Sequence, residues 1–154
     1  MNRLALALVI VGFVGCCFAQ EKKGTVSVQF RLGETKPGPG LKEMSVPGSE
    51  LKVYLHDGVE LSNEDIASAS VQMRENGHTK GPIIEMTFTE VGGEMLRRLT
   101  RENIGKILAV VVDGKVLSAP VITSEIGGGS RKCTIAGTFT MDEATRIADG
   151  LCGK

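Results

Sequence analysis

Aromatic side chains are scarce in this sequence, with five Phe, one Tyr and no Trp among 154 residues. Base-stacking platforms and aromatic sugar clamps are built from such rings, so neither is expected. Net charge is missing too. Lys+Arg and Asp+Glu both number 18, so no overall basic field invites nucleic acid or an acidic lipid surface. There are two histidines, His56 and His78. No C-x-x-C pair occurs, which removes the zinc-ribbon and thioredoxin-like signatures. The triple glycine at 127–129 has no GK[ST] after it and reads as a flexible turn, not a phosphate cradle. Long apolar runs are absent as well. Leu4–Val14 is 11 residues, against the ~20 that a bilayer-crossing helix needs.

That short run has the length of a signal-peptide core. It follows Arg3 and is succeeded by small residues ending at Ala19. Residues 1–19 therefore read as a signal peptide, and the mature chain as an exported domain, periplasmic or extracellular, with no transmembrane segment. Phe13-Val14-Gly15-Cys16 offers an alternative, a lipobox-like stretch that would anchor the protein through a lipidated Cys16. With 23% charged and 42% hydrophobic residues, the remainder has the balance of a globular domain. Cys133 and Cys152 are the cysteines left after cleavage, and an oxidising compartment makes a disulfide between them an expectation. Six strand steps from Cys133 to Phe139 cover ~20 Å. Twelve helix steps from Thr140 to Cys152 cover ~18 Å. A helix folded back over its strand would return both cysteines to one end. The alternative is an unbridged pair, held apart by an interlayer gap of ~10 Å.

Hydrophobic periodicity and turn residues divide the chain further. Val26, Val28, Phe30 and Leu32 alternate with polar residues as a strand does. Residues 33–50, rich in Pro and Gly, read as a long irregular loop. Leu51–His56 is a short strand. Ser62, with Asp65 three positions on, predicts a capped helix to Ala69. Strands follow at Val71–Arg74 and Ile84–Phe88. Thr89 caps a helix carrying Val91, Met95 and Leu99, which Gly105 ends. Ile107–Val112 is a central strand. Asp113-Gly114 is a two-residue hairpin turn into Lys115–Ile122, where Pro120 demands an edge or a bulge. Cys133–Phe139 is the last strand, and Thr140/Glu143 a capping box for the last helix. The order β-β-α-β-β-α-β-β-β-α implies an α+β fold, a mainly antiparallel sheet with helices mostly on one face. The segments are a signal peptide (1–19), N-terminal strands with the loop (20–61) and an α+β domain (62–154).

Catalytic chemistry has little to work with. His56 and Asp57 are adjacent, so on a strand they face opposite ways. Ser62 or Ser118 could complete a serine set only on paper, because no G-x-S-x-G elbow exists. A zinc site from His56, His78 and a carboxylate lacks the usual spacing. No catalytic residue, metal ligand or cofactor site is assigned. Arg97, Arg98, Arg101 and Lys106 form a basic cluster, either a solvated helix face or a patch for an anionic partner.

One ordered run of phrases resembles a known family. Ser62-Asn63-Glu64-Asp65-Ile66 is followed by Leu99-Thr100-Arg101-Glu102-Asn103-Ile104-Gly105-Lys106. Then come Val112-Asp113-Gly114-Lys115-Val116-Leu117-Ser118-Ala119-Pro120-Val121-Ile122 and Ile135-Ala136-Gly137-Thr138-Phe139-Thr140. Together they resemble the head subdomain of the first periplasmic domain of SecD, an accessory of the Sec export machinery, over about 90 of the 154 residues. The resemblance implies a domain outside the membrane that contacts preprotein, and a binding module rather than the membrane-embedded motor. The matching Gly105, Asp113, Gly114, Ser118, Ala119, Pro120 and Gly137 look structural. The expected partner is a protein or an extended polypeptide, met by strand addition at a sheet edge. An exported hydrolase or a structural piece of an envelope complex are the alternatives.

Overall fold

The computed structural model describes residues 26–76, 79–127 and 129–152. The signal-peptide reading of residues 1–19, the lipobox alternative and His78 lie outside them.

The continuous apolar run predicted to be central is central. All six residues of β7 (Ile107–Val112) are buried. Along its flank runs β1 (Val28–Glu34), antiparallel and in register from Val28 opposite Val112 to Gly33 opposite Ile107. Beyond β1 lie β3 (Lys52–Leu55) and then β2 (Lys42–Ser45), while the short β4 (Leu61–Ser62) also pairs with β1. On the other flank of β7, β8 (Lys115–Ser118) closes the sheet. A second sheet has the order β5-β6-β9, from β5 (Ile66–Asn76), β6 (Thr79–Phe88) and β9 (Lys132–Ala136). All strand pairs are antiparallel. Among the described residues two α-helices complete the α+β fold, α1 (Glu90–Glu102) and α2 (Met141–Cys152).

The main core lies between the sheets and takes side chains from every layer. Phe30 and Val110 come from the first sheet, Ile84, Met86 and Phe88 from the second, Leu96 from α1, and Ala144, Ile147 and Leu151 from α2. Phe30 and Phe88 meet edge to face at 5.5 Å, joining the two sheets. Residues Ile107, Ala109 and Val111 of β7 face the other way. They form a smaller core with Val53, Leu55 and Val116. The period-2 geometry of a strand thus lets β7 serve both cores. Residues 26–61 and 62–152 share one sheet through β1 and β7. Val26, the first described residue, packs against Gly150 near the end of α2.

The strands expected at Lys115–Ile122 and Cys133–Phe139 are shorter, ending at Ser118 and Ala136, and two further elements differ in kind from the sequence reading. Ser62 and Asp65 do form a reciprocal capping box, with Ser62 N–H donating to Asp65 at 2.8 Å. The box caps one 3-10 turn, Asn63–Asp65, and the chain then becomes β5. Ala69 and Val71 pack on the core while Ser68, Ser70 and Gln72 face away, a period of two that prevails over the helix signal. The Pro/Gly-rich segment also holds a strand, β2, whose register with β3 runs from Lys42 opposite Leu55 to Ser45 opposite Lys52.

Candidate functional site: an unprotected sheet edge

The hydrogen-bond parity of the second sheet decides what its edges offer. Phe88 N–H donates to the Arg131 carbonyl at 2.8 Å. Residues of the same parity on β6, Met86 and Ile84, therefore turn their backbone groups toward Cys133 and Ile135, their partners on β9. It follows that Lys132, Thr134 and Ala136 turn theirs outward. All three are exposed, and among the described residues β9 has β6 as its one strand neighbour.

The other sheet edges among the described residues carry devices against further pairing, β4 being only two residues long. On β5 the parity turns Ala69 outward, and Cys152 closes it. The Cys152 thiol donates to the Ala69 carbonyl at 3.2 Å and accepts from its N–H at 3.4 Å. A register shift between Ile66 and Ser68 further disrupts that edge. Where β6 overhangs β9, Pro82 sits at the parity that faces outward, so its missing N–H costs no bond to β5. Edge strand β8 has a bulge opposite Val110/Val111 and is followed by Pro120. Edge strand β2 bears Lys42 and Glu43, the latter paired to Lys52 at 2.6 Å. Among the described residues no proline, bulge or covering helix protects β9, and only the Lys132 N–H at its start is engaged, by the Ser130 hydroxyl at 3.4 Å. Its one charge, Lys132, stands at its first position and is paired to Glu85 on β6 at 3.0 Å. Next to the end of β9 opens a groove of about 690 Å³. Pro82, Ile83, Ala136 and Phe139 give it apolar lining, and Arg74 and Lys80 line it as well.

The residues singled out in the sequence fall into three groups. The first is structural. Asp113 and Gly114 make a two-residue turn with φ of 49° and 79°. Both angles are left-handed, as a type I′ hairpin requires, and glycine takes such an angle without strain. Asp113 does more than turn. Its carboxylate accepts from Ser27 N–H at 2.9 Å and from Arg146 at 3.0 Å, tying the hairpin to the start of β1 and to α2. Those two donors, the backbone N–H first, hold its carboxyl below the usual aspartate range. Gly105 N–H donates to the Ile122 carbonyl at 2.8 Å beyond the end of α1. Ser118 pairs with Val110, Ala119 packs on the smaller core, and the Pro120 carbonyl accepts from Leu108. Gly137 lies against the Leu117 carbonyl and the Phe139 ring. Thr140 and Glu143 form the predicted box, and the Thr140 backbone N–H, then its hydroxyl, lower the Glu143 pKa.

The basic cluster is the second group, and it is divided. Arg97 is paired with Glu94 at 3.2 Å and Glu125 at 3.8 Å. Lys106 lies 4.0 Å from Glu34, which also lies 3.5 Å from His56 Nε2. Arg98 and Arg101 make no ion pair with described residues. The depression beside them is lined by α1 alone. Among the described residues no three His, Cys, Asp or Glu side chains gather as a metal site, and no helix is long and apolar enough to cross a membrane.

The cysteines form the third group, and here the expected bridge is corrected. Cys133 and Cys152 are free thiols. Ala69, Met86 and Cys133 stand in one row across β5, β6 and β9, and Cys152 is outside Ala69. Two strand spacings, ~10 Å, already exceed the ~7 Å limit between bridged Cα atoms. The strand also ends at Ala136, short of the Phe139 that the length matching assumed, and α2 packs mainly on β5, which carries Cys152 away from β9. Burial pushes the Cys133 thiol pKa up, which makes it a poor nucleophile at neutral pH. The β9 edge itself escaped sequence reasoning, because which strand stays unpaired is decided by tertiary topology.

The profile of the family described as "SecDF, P1 head subdomain" matches residues 41–152. The chain belongs to that family. Its head-subdomain fold is shared with solved structures. One is SecDF in a "Super-membrane-facing form", with TM-score 0.64 and 27% identity over 83% of this chain and 19% of that one. Another is described as "a membrane component SecDF that enhances protein export", with TM-score 0.63 and 26% identity over 83% of this chain and 62% of that one. Among curated relatives, the protein translocase subunit SecD of Magnetococcus marinus is 42% identical over 57% of this chain and 16% of its own length. SecD of Syntrophobacter fumaroxidans is 38% identical over 65% of this chain and 18% of its own length. SecDF of Thermus thermophilus is 40% identical over 57% of this chain and 11% of its own length. The head subdomain therefore spans less than a fifth of these relatives' length.

Proposed function

We propose that this head subdomain is a non-catalytic binding module of protein export, acting on the outer side of the membrane after residues 1–19 are removed. Its ligand is an extended polypeptide, such as a preprotein in transit. The observation that carries the reading is the outward edge of β9, which among the described strands lacks the devices seen at the other edges. An extended segment laid along β9 exchanges main-chain hydrogen bonds with Thr134 and Ala136, which makes recognition tolerant of sequence. The neighbouring apolar groove supplies a modest preference for side chains. Such tolerance suits a module that meets many different polypeptides. Membership of the family supports the export setting, since its relatives are named as protein translocase subunits.

The test is fluorescence anisotropy with a labelled, permanently unfolded polypeptide as probe. Thr134→Pro removes an outward N–H from the edge but no bond between β9 and β6. It is expected to weaken binding at least about tenfold while leaving the thermal midpoint close to that of the parent. Binding retained within about twofold would sink the proposal.

A further inference from the structure

The β9 edge is complementary to itself. We propose that it also joins two copies of this chain, β9 pairing antiparallel with β9 of a second copy about a two-fold axis through Thr134.

Three observations converge. The first is register. Thr134 is the middle residue of Lys132–Ala136 and has its backbone groups turned outward. A dyad there pairs the whole strand, with about six main-chain hydrogen bonds contributed by residues 132, 134 and 136 of both copies, the two from Lys132 N–H replacing its long 3.4 Å contact with the Ser130 hydroxyl. The second is charge. The same dyad sets Thr134 opposite Thr134, a favourable cross-strand pair, and Lys132 opposite Ala136 of the second copy, so no like charges face each other. Lys132 keeps its own Glu85 at 3.0 Å on the outer face. The third is closure. The pairing makes one continuous sheet, β5-β6-β9-β9-β6-β5, whose two ends are both β5. Each end is interrupted by the Ile66/Ser68 shift and capped by Cys152 at Ala69. Growth therefore stops at two copies, as an isologous interface requires. In the dimer, the edge that takes a polypeptide is occupied, so the chain at high concentration stores its own binding strand. A five-residue edge is a small interface, and the dimer is correspondingly weak and reversible.

Sedimentation velocity of the purified protein from about 10 μM to about 1 mM tests this. A reversible monomer–dimer equilibrium is expected. Ala136→Glu, which faces Lys132 of the second copy, is expected to tighten it about threefold or more. Ala136→Lys is expected to weaken it by a similar factor. Residue 136 is exposed, so both variants should fold. A monomer throughout the range, or a dimer on which the two substitutions act alike, overturns the proposal. Polypeptide binding is read separately, by anisotropy at about 1 μM, where the chain is monomeric, so each reading can fail without the other.

Discussion

Among the described strands the first sheet ends on β2 and β8, with the two-residue β4 beside β1, and the second ends on β5 and β9; all but β9 carry a feature that disfavours a new partner. In the first sheet β7 is buried on both faces and feeds two cores. The second sheet buries one face, and its other face, with Ser68, Ser70 and Gln72 on it, is open to water. The contrast separates two duties. Cohesion is concentrated where strands are buried on both sides and tied by side-chain staples such as Asp113. Availability is concentrated where one strand keeps unpaired backbone groups without weakening the layer behind it. An open edge is an aggregation hazard in most proteins, and here its neighbours are protected while β9 is not.

The largest expected effect comes from the contact that joins the sheets. Phe30→Ala removes a fully buried ring and its edge contact with Phe88. It should cost about 3–5 kcal/mol in chemical denaturation, through one cooperative transition. Two separated transitions would mean that the sheets are independent units and would break the comparison. Next is the rim of the first sheet. Gly114→Val forces a β-branched residue into a φ of +79° and should destabilise by about 1–3 kcal/mol. An unchanged midpoint would deny the turn its role.

A smaller effect depends on acidity. The Asp113 pKa is lowered in the folded state, by Ser27 N–H and then Arg146. The stability it contributes is full above the ordinary aspartate range, near pH 4, and is lost as pH falls through the lower folded value. Urea melts at several pH values should show the parent losing more stability below about pH 4 than Asp113→Asn does, the variant being the weaker at neutral pH. Parallel pH profiles would remove Asp113 as a charged staple. The smallest effect is expected at β9. Thr134→Lys on the exposed edge should leave stability within about 0.5 kcal/mol of the parent. A larger loss would show that this edge is bound up with cohesion after all.

Much of the architecture was legible because the signals were local. Asp113-Gly114, Thr140/Glu143 and Pro120 each need only a few neighbours to act, and each acts as its residue type dictates. The helix predicted at Ser62–Ala69 failed for the same reason in reverse. Its capping box is real, but a box says where a helix starts and not how long it lasts. β2 was hidden by the prolines and glycines around it. The glycines of α1, which weaken a helix in isolation, make sense only in three dimensions, since a Cβ on Gly92 would lie 2.5 Å from the Asp65 carbonyl oxygen. The candidate site is the extreme case. Nothing in Lys132–Ala136 marks it as bare. Bareness belongs to what the rest of the chain leaves beside it.

The contact between Val26 and Gly150 bears on how this body can be carried. A unit whose incoming strand and outgoing helix lie side by side would hang from any host at one point, like a tag on a split ring. It can be spliced into a loop of another protein without prying apart the flanking backbone, and the splice leaves little leverage over its interior. Tension along such a host would fall first on the start of β1 and the final turn of α2, and would reach β7 only through its pairing with β1. It could swing about that single attachment as a rigid piece, with the β9 edge sweeping an arc around it.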